Sequence, residues 1–140
     1  MPAKKKTATP APRKPRKTAT KKTTPTGQPE GETLARLAAV YADDKKGENI
    51  VILDVRGISM VADYLVICDG SSLPHLRAIR NEISDRLREE HKIKPYAAHG
   101  SPDSGWMLLD FGDVVVHIFH GEKRAFYALE DLWNDAPRLS

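Results

Sequence analysis

From Thr33 onward the apolar positions follow two rhythms. Leu34, Leu37, Ala38 and Tyr41 recur every three or four residues behind Thr33, a plausible cap, so a first helix is expected. Lys45, Lys46 and Gly47 close it. Residues 50–55 are β-branched and apolar, which predicts a buried strand that Gly57 breaks. Tyr64-Leu65-Val66-Ile67-Cys68 predicts a second buried strand. Gly70, Ser71 and Ser72 end that strand and open a helix, with Ser72 as cap. In it Leu76, Ile79, Ile83 and Leu87 share one side, and Arg77, Arg80, Asp85 and Arg88 the other. This helix should stop near His91, ahead of Pro95. Residues 96–99 form a candidate third strand and residues 100–105 a loop.

Residues 106–111 and 114–119 predict a hairpin turning at Phe111-Gly112. Pairing Asp110 with Asp113 sets Leu109 against Val114, Leu108 against Val115, Met107 against Val116 and Trp106 against His117. One face then carries Met107, Leu109, Val114, Val116 and Ile118, all apolar and suited to a core. The other carries Trp106, Leu108, Val115, His117 and Phe119, with Asp110 at its edge. A final helix is expected over residues 122–133, with Ala125, Phe126, Leu129, Leu132 and Trp133 on one side. The order α-β-β-α-β-β-β-α describes an α/β domain with a single mixed sheet and helices packed on it.

Charge divides the chain. The 22 Lys and Arg against 19 Asp and Glu leave a formal +3. Residues 1–29 hold nine of the basic side chains (Lys4, Lys5, Lys6, Arg13, Lys14, Arg16, Lys17, Lys21 and Lys22) and no acidic one. Residues 30–140 keep 13 basic against 19 acidic, a net of −6. The first segment, rich in Lys, Pro and Thr, lacks the apolar residues to offset its ordering entropy and is expected to be a disordered basic tail. A polycation of that kind associates with RNA phosphates; a solubilising tail without a partner is the plainer alternative. The remainder, residues 30–140, suits one domain.

The composition excludes several classes. No run of 18 apolar residues offers a membrane span. The basic start has no apolar stretch behind it, unlike a secretory signal, and its six prolines oppose the amphipathic helix of a transit peptide. A cytoplasmic setting follows as the expectation, and the lone Cys68 excludes an internal disulfide. His75, His91, His99, His117 and His120 lack metal-ligand spacing, so no metal or other cofactor is expected. Gly70-Ser71-Ser72 before a helix could cradle a phosphate, as in a nucleotidyl transferase. That chemistry needs paired carboxylates on a following strand, and Glu82 and Asp85 fall in the helix instead. The face bearing Trp106 and His117 mixes apolar area with N–H groups, as partner surfaces do. It is also what a second internal face would look like.

Three strings carry a family resemblance. They are Ile52-Leu53-Asp54-Val55 with Ser59 and Asp63-Tyr64-Leu65-Val66-Ile67-Cys68, then Gly105-Trp106-Met107-Leu108-Leu109-Asp110-Phe111-Gly112-Asp113-Val114-Val115-Val116-His117, then Arg124-Ala125-Phe126-Tyr127-Ala128-Leu129-Glu130-Asp131-Leu132-Trp133. Over residues 33–135 the chain resembles the ribosomal silencing factor, or Iojap-related, family. Two departures are Ala98-His99-Gly100, where a Glu-Gly pair is usual, and Leu65, where an aromatic is common.

The resemblance implies a nucleotidyl-transferase-like sheet without the catalytic residues. It implies binding to the large ribosomal subunit through ribosomal protein fourteen of that subunit, a block on small-subunit joining, and repression of translation without enzymatic activity. Large-subunit assembly is the alternative role, and a nucleotide-binding transferase-like enzyme is the rival of another class. The protein is expected as a monomer or weak homodimer. An acidic domain complements a basic ribosomal protein. The residues expected to meet the partner are Trp106, Leu108, Asp110, His117 and Phe119 of the hairpin with Arg124, Tyr127, Glu130 and Trp133 of the last helix. The basic tail would add a non-specific rRNA contact.

Overall fold

The computed structural model describes residues 30–60 and 62–139. The tail from Lys4 to Lys22 lies outside the described residues. The elements are α1 (Gly31–Asp44), β1 (Glu48–Asp54), β2 (Tyr64–Gly70), α2 (Leu73–His91), β3 (Ala97–Ser101), β4 (Trp106–Asp110), β5 (Val114–His120), α3 (Lys123–Tyr127) and α4 (Leu129–Leu132). A single 3-10 turn, Pro102–Ser104, joins β3 to β4.

The strands form one mixed five-stranded sheet in the order β1-β2-β5-β4-β3. The central β2–β5 pair is parallel and the others are antiparallel. The α2, β3 and β4 segment supplies the long connection that a parallel pair requires. On one face, α1 and α2 lay Leu34, Tyr41, Leu76, Ile79, Ile83 and Leu87 over Val66, Cys68, Met107, Leu109, Val116 and Ile118. Ser72 caps α2, its hydroxyl accepting the His75 backbone N–H at 3.1 Å, and Lys92 ends the helix in the left-handed region. Beside this core, Arg86 lies 4.2 Å from the Tyr41 ring centroid and bonds Asp44, Glu82 and Glu90. Glu90 in turn accepts from Tyr41 Oη at 3.1 Å.

Several expectations require correction. Thr33 lies inside α1, which starts at Gly31, and is not its cap, and residues 100 and 101 belong to β3 rather than to a loop. The hairpin register differs by two residues: Trp106 pairs with Phe119, Met107 with Ile118, Leu108 with His117, Leu109 with Val116 and Asp110 with Val115. Phe111 is buried, and its N–H bonds the Val114 carbonyl at 2.8 Å. The loop is therefore Gly112-Asp113. Gly112 takes φ +92°, with its N–H on Asp110 Oδ1 at 2.8 Å. A shift of two keeps every side chain on its expected face, so the division of faces stands.

The final helix over residues 122–133 is instead two short helices meeting at Ala128, which adopts φ +49°. Six residues apart, Arg124 and Glu130 would lie about 120° apart around a continuous helix and about 9 Å along it. The corner brings them to 2.8 Å. It also leaves Phe126 75% and Leu132 69% exposed, rather than on a shared buried side. A left-handed alanine costs about 1–2 kcal/mol that glycine escapes, offset in part by glycine's greater unfolded freedom. Ala128→Gly should therefore stabilise the protein by about 0.5 kcal/mol. Urea unfolding checks this, and a lower midpoint would show that the alanine is not strained.

Candidate functional site: an aromatic sheet face under a hinged cover

The sheet face opposite α1 and α2 carries a second cluster. Val51, Leu53, Leu65, Ile67, Val115 and Phe119 are buried there, and Ala136, Leu129 and Trp133 pack over them. Residues after α4 also close one sheet edge. The Asp54 N–H bonds the Pro137 carbonyl, and the Leu139 N–H bonds the Ile52 carbonyl, at 2.9 and 2.8 Å. The cover thins toward β4 and β3. Trp106 and Leu108 are half-buried, and His99, opposite Leu108 in the ladder, is exposed.

Four rings meet at this thin edge. Trp106 lies parallel within 18° to His117 and within 14° to Phe119, each at 5.8 Å between centroids. Tyr127 comes across from α3 to 4.4 Å from Trp106. Phe126 sits edge-on to Tyr127 at 5.2 Å, so the aromatic surface continues outward from the sheet. Gly100 permits the close approach of β3 behind Trp106. Its φ is +82°, and a Cβ there would stand 2.1 Å from the Trp106 carbonyl oxygen. That requirement accounts for the glycine of Ala98-His99-Gly100.

Arg124 holds the cover in place. Its Nε and Nη2 donate to the two Glu130 carboxylate oxygens at 2.8 and 2.9 Å. Its Nη1 donates to the Asn49 carbonyl at 2.6 Å and to Asp69 Oδ1 at 3.0 Å. One guanidinium thus ties α3, α4 and the first two strands together. Burial lowers the Arg124 pKa, but the hydrogen bonds to Glu130 and Asp69 outweigh it, and the net shift is upward. The Arg124 guanidinium in turn holds the Glu130 carboxyl below its ordinary value.

His117 accepts the Trp106 Nε1–H on Nδ1 at 3.1 Å, leaving Nε2 to carry the ring proton. Burial lowers its pKa to about 4. The unfolded chain binds a proton below about pH 6.5, whereas the folded chain resists until about pH 4. His117 therefore contributes stability above pH 6.5 that is lost as pH falls toward 4, about 3 kcal/mol over the window. Comparing urea midpoints of the native chain and His117→Leu at pH 7 and pH 4.5 checks this. The native chain should lose more on acidification, and equal losses would refute a buried neutral imidazole.

Of the nine residues expected to meet a partner, the structure gathers all but Asp110 into one assembly. Trp106, Leu108, Tyr127 and Trp133 form its aromatic and apolar part, with Phe119 and His117 beneath, and Arg124 and Glu130 form the clasp. Asp110 lies on the same face, where it caps the hairpin turn. Phe119 and His117 are too buried to form the outer surface: Phe119 is fully covered and His117 is 7% exposed. Asp69 escaped sequence analysis, although a parallel register with Phe119 places it on this face. Phe126 was assigned to the wrong side because the break at Ala128 carries no glycine.

The alternative phosphate cradle is occupied by its own helix. The Ser71 N–H donates to His75 Nδ1 at 2.8 Å, and His75 Nε2–H donates to the Lys45 carbonyl at 2.6 Å. Cys68 is buried between strands, and its thiol is pushed up to about 12. Among the described residues no group of three or more His, Cys, Asp or Glu is placed to hold a metal ion, and no helix is long and apolar enough to cross a membrane.

The family model described as ribosomal silencing factor during starvation matches residues 28–140. The chain belongs to this family. The ribosomal silencing factor of Bacillus subtilis is 45% identical over 76% of this chain and 89% of its own. A crystal structure from Bacillus halodurans shares 39% identity over 78% of this chain and 98% of its own, with a TM-score of 0.66. One from Chromobacterium violaceum shares 28% identity over 76% and 88%, with a TM-score of 0.72. The mixed sheet with helices packed on it is thus the fold of this ribosomal silencing factor family, and the three strings noted in the sequence fall on β1–β2, the β4–β5 hairpin and the clasped cover.

Proposed function

We propose that this chain represses translation as a non-enzymatic factor. It binds the large ribosomal subunit through ribosomal protein fourteen of that subunit and sterically keeps the small subunit from joining. Family membership supports regulation at the ribosome. The observation that carries the docking face is the continuous row Trp106-Tyr127-Phe126, which leads from the half-buried sheet to the surface. Aromatic anchors of this kind dominate protein interfaces. The net of −6 over residues 30–140 complements a basic ribosomal protein.

Gradient co-sedimentation with isolated large and small subunits tests the proposal, together with light scattering of subunit joining. The chain should travel with large subunits and lower the amplitude of joining. Co-migration with small subunits only, or joining at full amplitude with the factor bound, would overturn it.

The nine basic residues from Lys4 to Lys22 add a salt-sensitive affinity for rRNA beside the docking site. Deleting residues 1–29 should flatten the dependence of binding on salt. An unchanged slope would remove the tail from the interaction.

A further inference from the structure

Among the described residues, Tyr41, Tyr64 and Cys68 aside, His117 is the one buried side chain that carries a polar group. It stands mid-strand in β5, where Val114, Val115, Val116, Ile118 and Phe119 are all apolar and buried. A leucine there would pack without the cost of stripping water from an imidazole. What the imidazole adds is an acceptor, and Trp106 uses it at 3.1 Å. The two residues are not opposite in the ladder: Trp106 faces Phe119, and His117 faces Leu108. The indole therefore leans diagonally across β5 to reach the ring. Stacking on His117 and Phe119 defines the plane of the indole but not which of its edges turns inward, since both ring faces are apolar. Only one edge bears an N–H, so a buried acceptor distinguishes the two orientations.

We infer that His117 is a positioning residue: it does not meet the partner, but accepts the Trp106 indole N–H and so fixes which edge of that half-buried ring the docking face presents. This rests on the docking face proposed above. With the acceptor gone, the indole samples other orientations, and the partner must select one of them on binding, which lowers the apparent affinity by the fraction that is competent. A role in packing alone makes the opposite demand, because any apolar residue of similar volume would then serve.

The test combines variants with the native chain. His117→Leu keeps volume and loses the acceptor; His117→Asn loses volume and keeps an acceptor oxygen near the Nδ1 position. Large-subunit binding should fall about tenfold in His117→Leu and recover toward native in His117→Asn. Loss in Asn with retention in Leu would reduce His117 to packing and overturn the inference. Trp106→Ala serves as the reference. If it binds like the native chain, the docking face itself is wrong; if it fails while His117→Leu binds normally, only the positioning role is wrong. In native protein labelled with nitrogen-15, the indole resonance that vanishes in Trp106→Phe should exchange slowly with deuterium, and exchange at the open-solvent rate would overturn the role whatever the variants do.

Discussion

Trp106→Ala is expected to weaken binding to the large ribosomal subunit by about 30-fold or more, the effect of losing an interface anchor of about 2 kcal/mol. The indole stacks on His117 and Phe119 within the sheet and meets Tyr127 at a 40° tilt outside it, so its removal opens the row of rings at the middle. The anchor is also rigid before contact. Its N–H is bonded inside the protein and its plane is set by two neighbours, so little side-chain freedom remains to be lost on association. Circular dichroism and urea unfolding would establish that the variant is folded. Undiminished co-sedimentation by a folded Trp106→Ala would remove the docking face from this part of the sheet.

Arg124→Met should destabilise the chain by about 3 kcal/mol, although it keeps most of the aliphatic stem. Removing the guanidinium leaves Asp69 and Glu130 half-buried without the cation they share, and only the exposed Arg138, at 3.7 Å, remains beside Glu130. Arg124→Lys should restore less than half of that loss, because an ammonium cannot reproduce the two-pronged contact with Glu130 while also reaching the Asn49 carbonyl and Asp69. The damage should be local first. Hydrogen exchange should rise over residues 123–136 before the strands are affected, and subunit binding should fall because Tyr127 rides on the same segment. Native protection over residues 123–136 in Arg124→Met would mean that apolar packing by Leu129 and Trp133 holds the cover unaided. Acid should act in the same direction. Glu130 titrates below its ordinary value, so its contribution is present above that value and disappears as pH falls through the lowered one.

The strands and both long helices were legible because apolar spacing, Ser72 as cap and Gly57 as breaker all pointed the same way. The face division of the hairpin survived an error in its register, since a two-residue slip preserves side-chain alternation. The register itself was not legible from turn residues alone. Phe111 looked like part of the turn, yet the gain from burying its ring moves the loop one residue onward. The break at Ala128 was hidden for a different reason. Alanine is a strong helix former, and what overrides it is tertiary: the four bonds of Arg124 and the packing of Leu129 and Trp133 exist only once the sheet is present. The candidate surface was therefore readable as a list of residues. Which of them form its exterior and which support it from below depended on this corner.

The corner also orders events in time. Segments α3 and α4 follow all five strands along the chain and have nothing to pack on until the sheet has formed. Until the cover closes, Phe119, Val115 and Ile67 face water, and Tyr127 has not reached Trp106. A chain whose cover is still open thus carries a sticky, unfinished face and lacks the proposed docking surface. On the proposed docking face, binding to a ribosome would have to wait for the Arg124 clasp to close, and the same closure ends the exposure to misassociation.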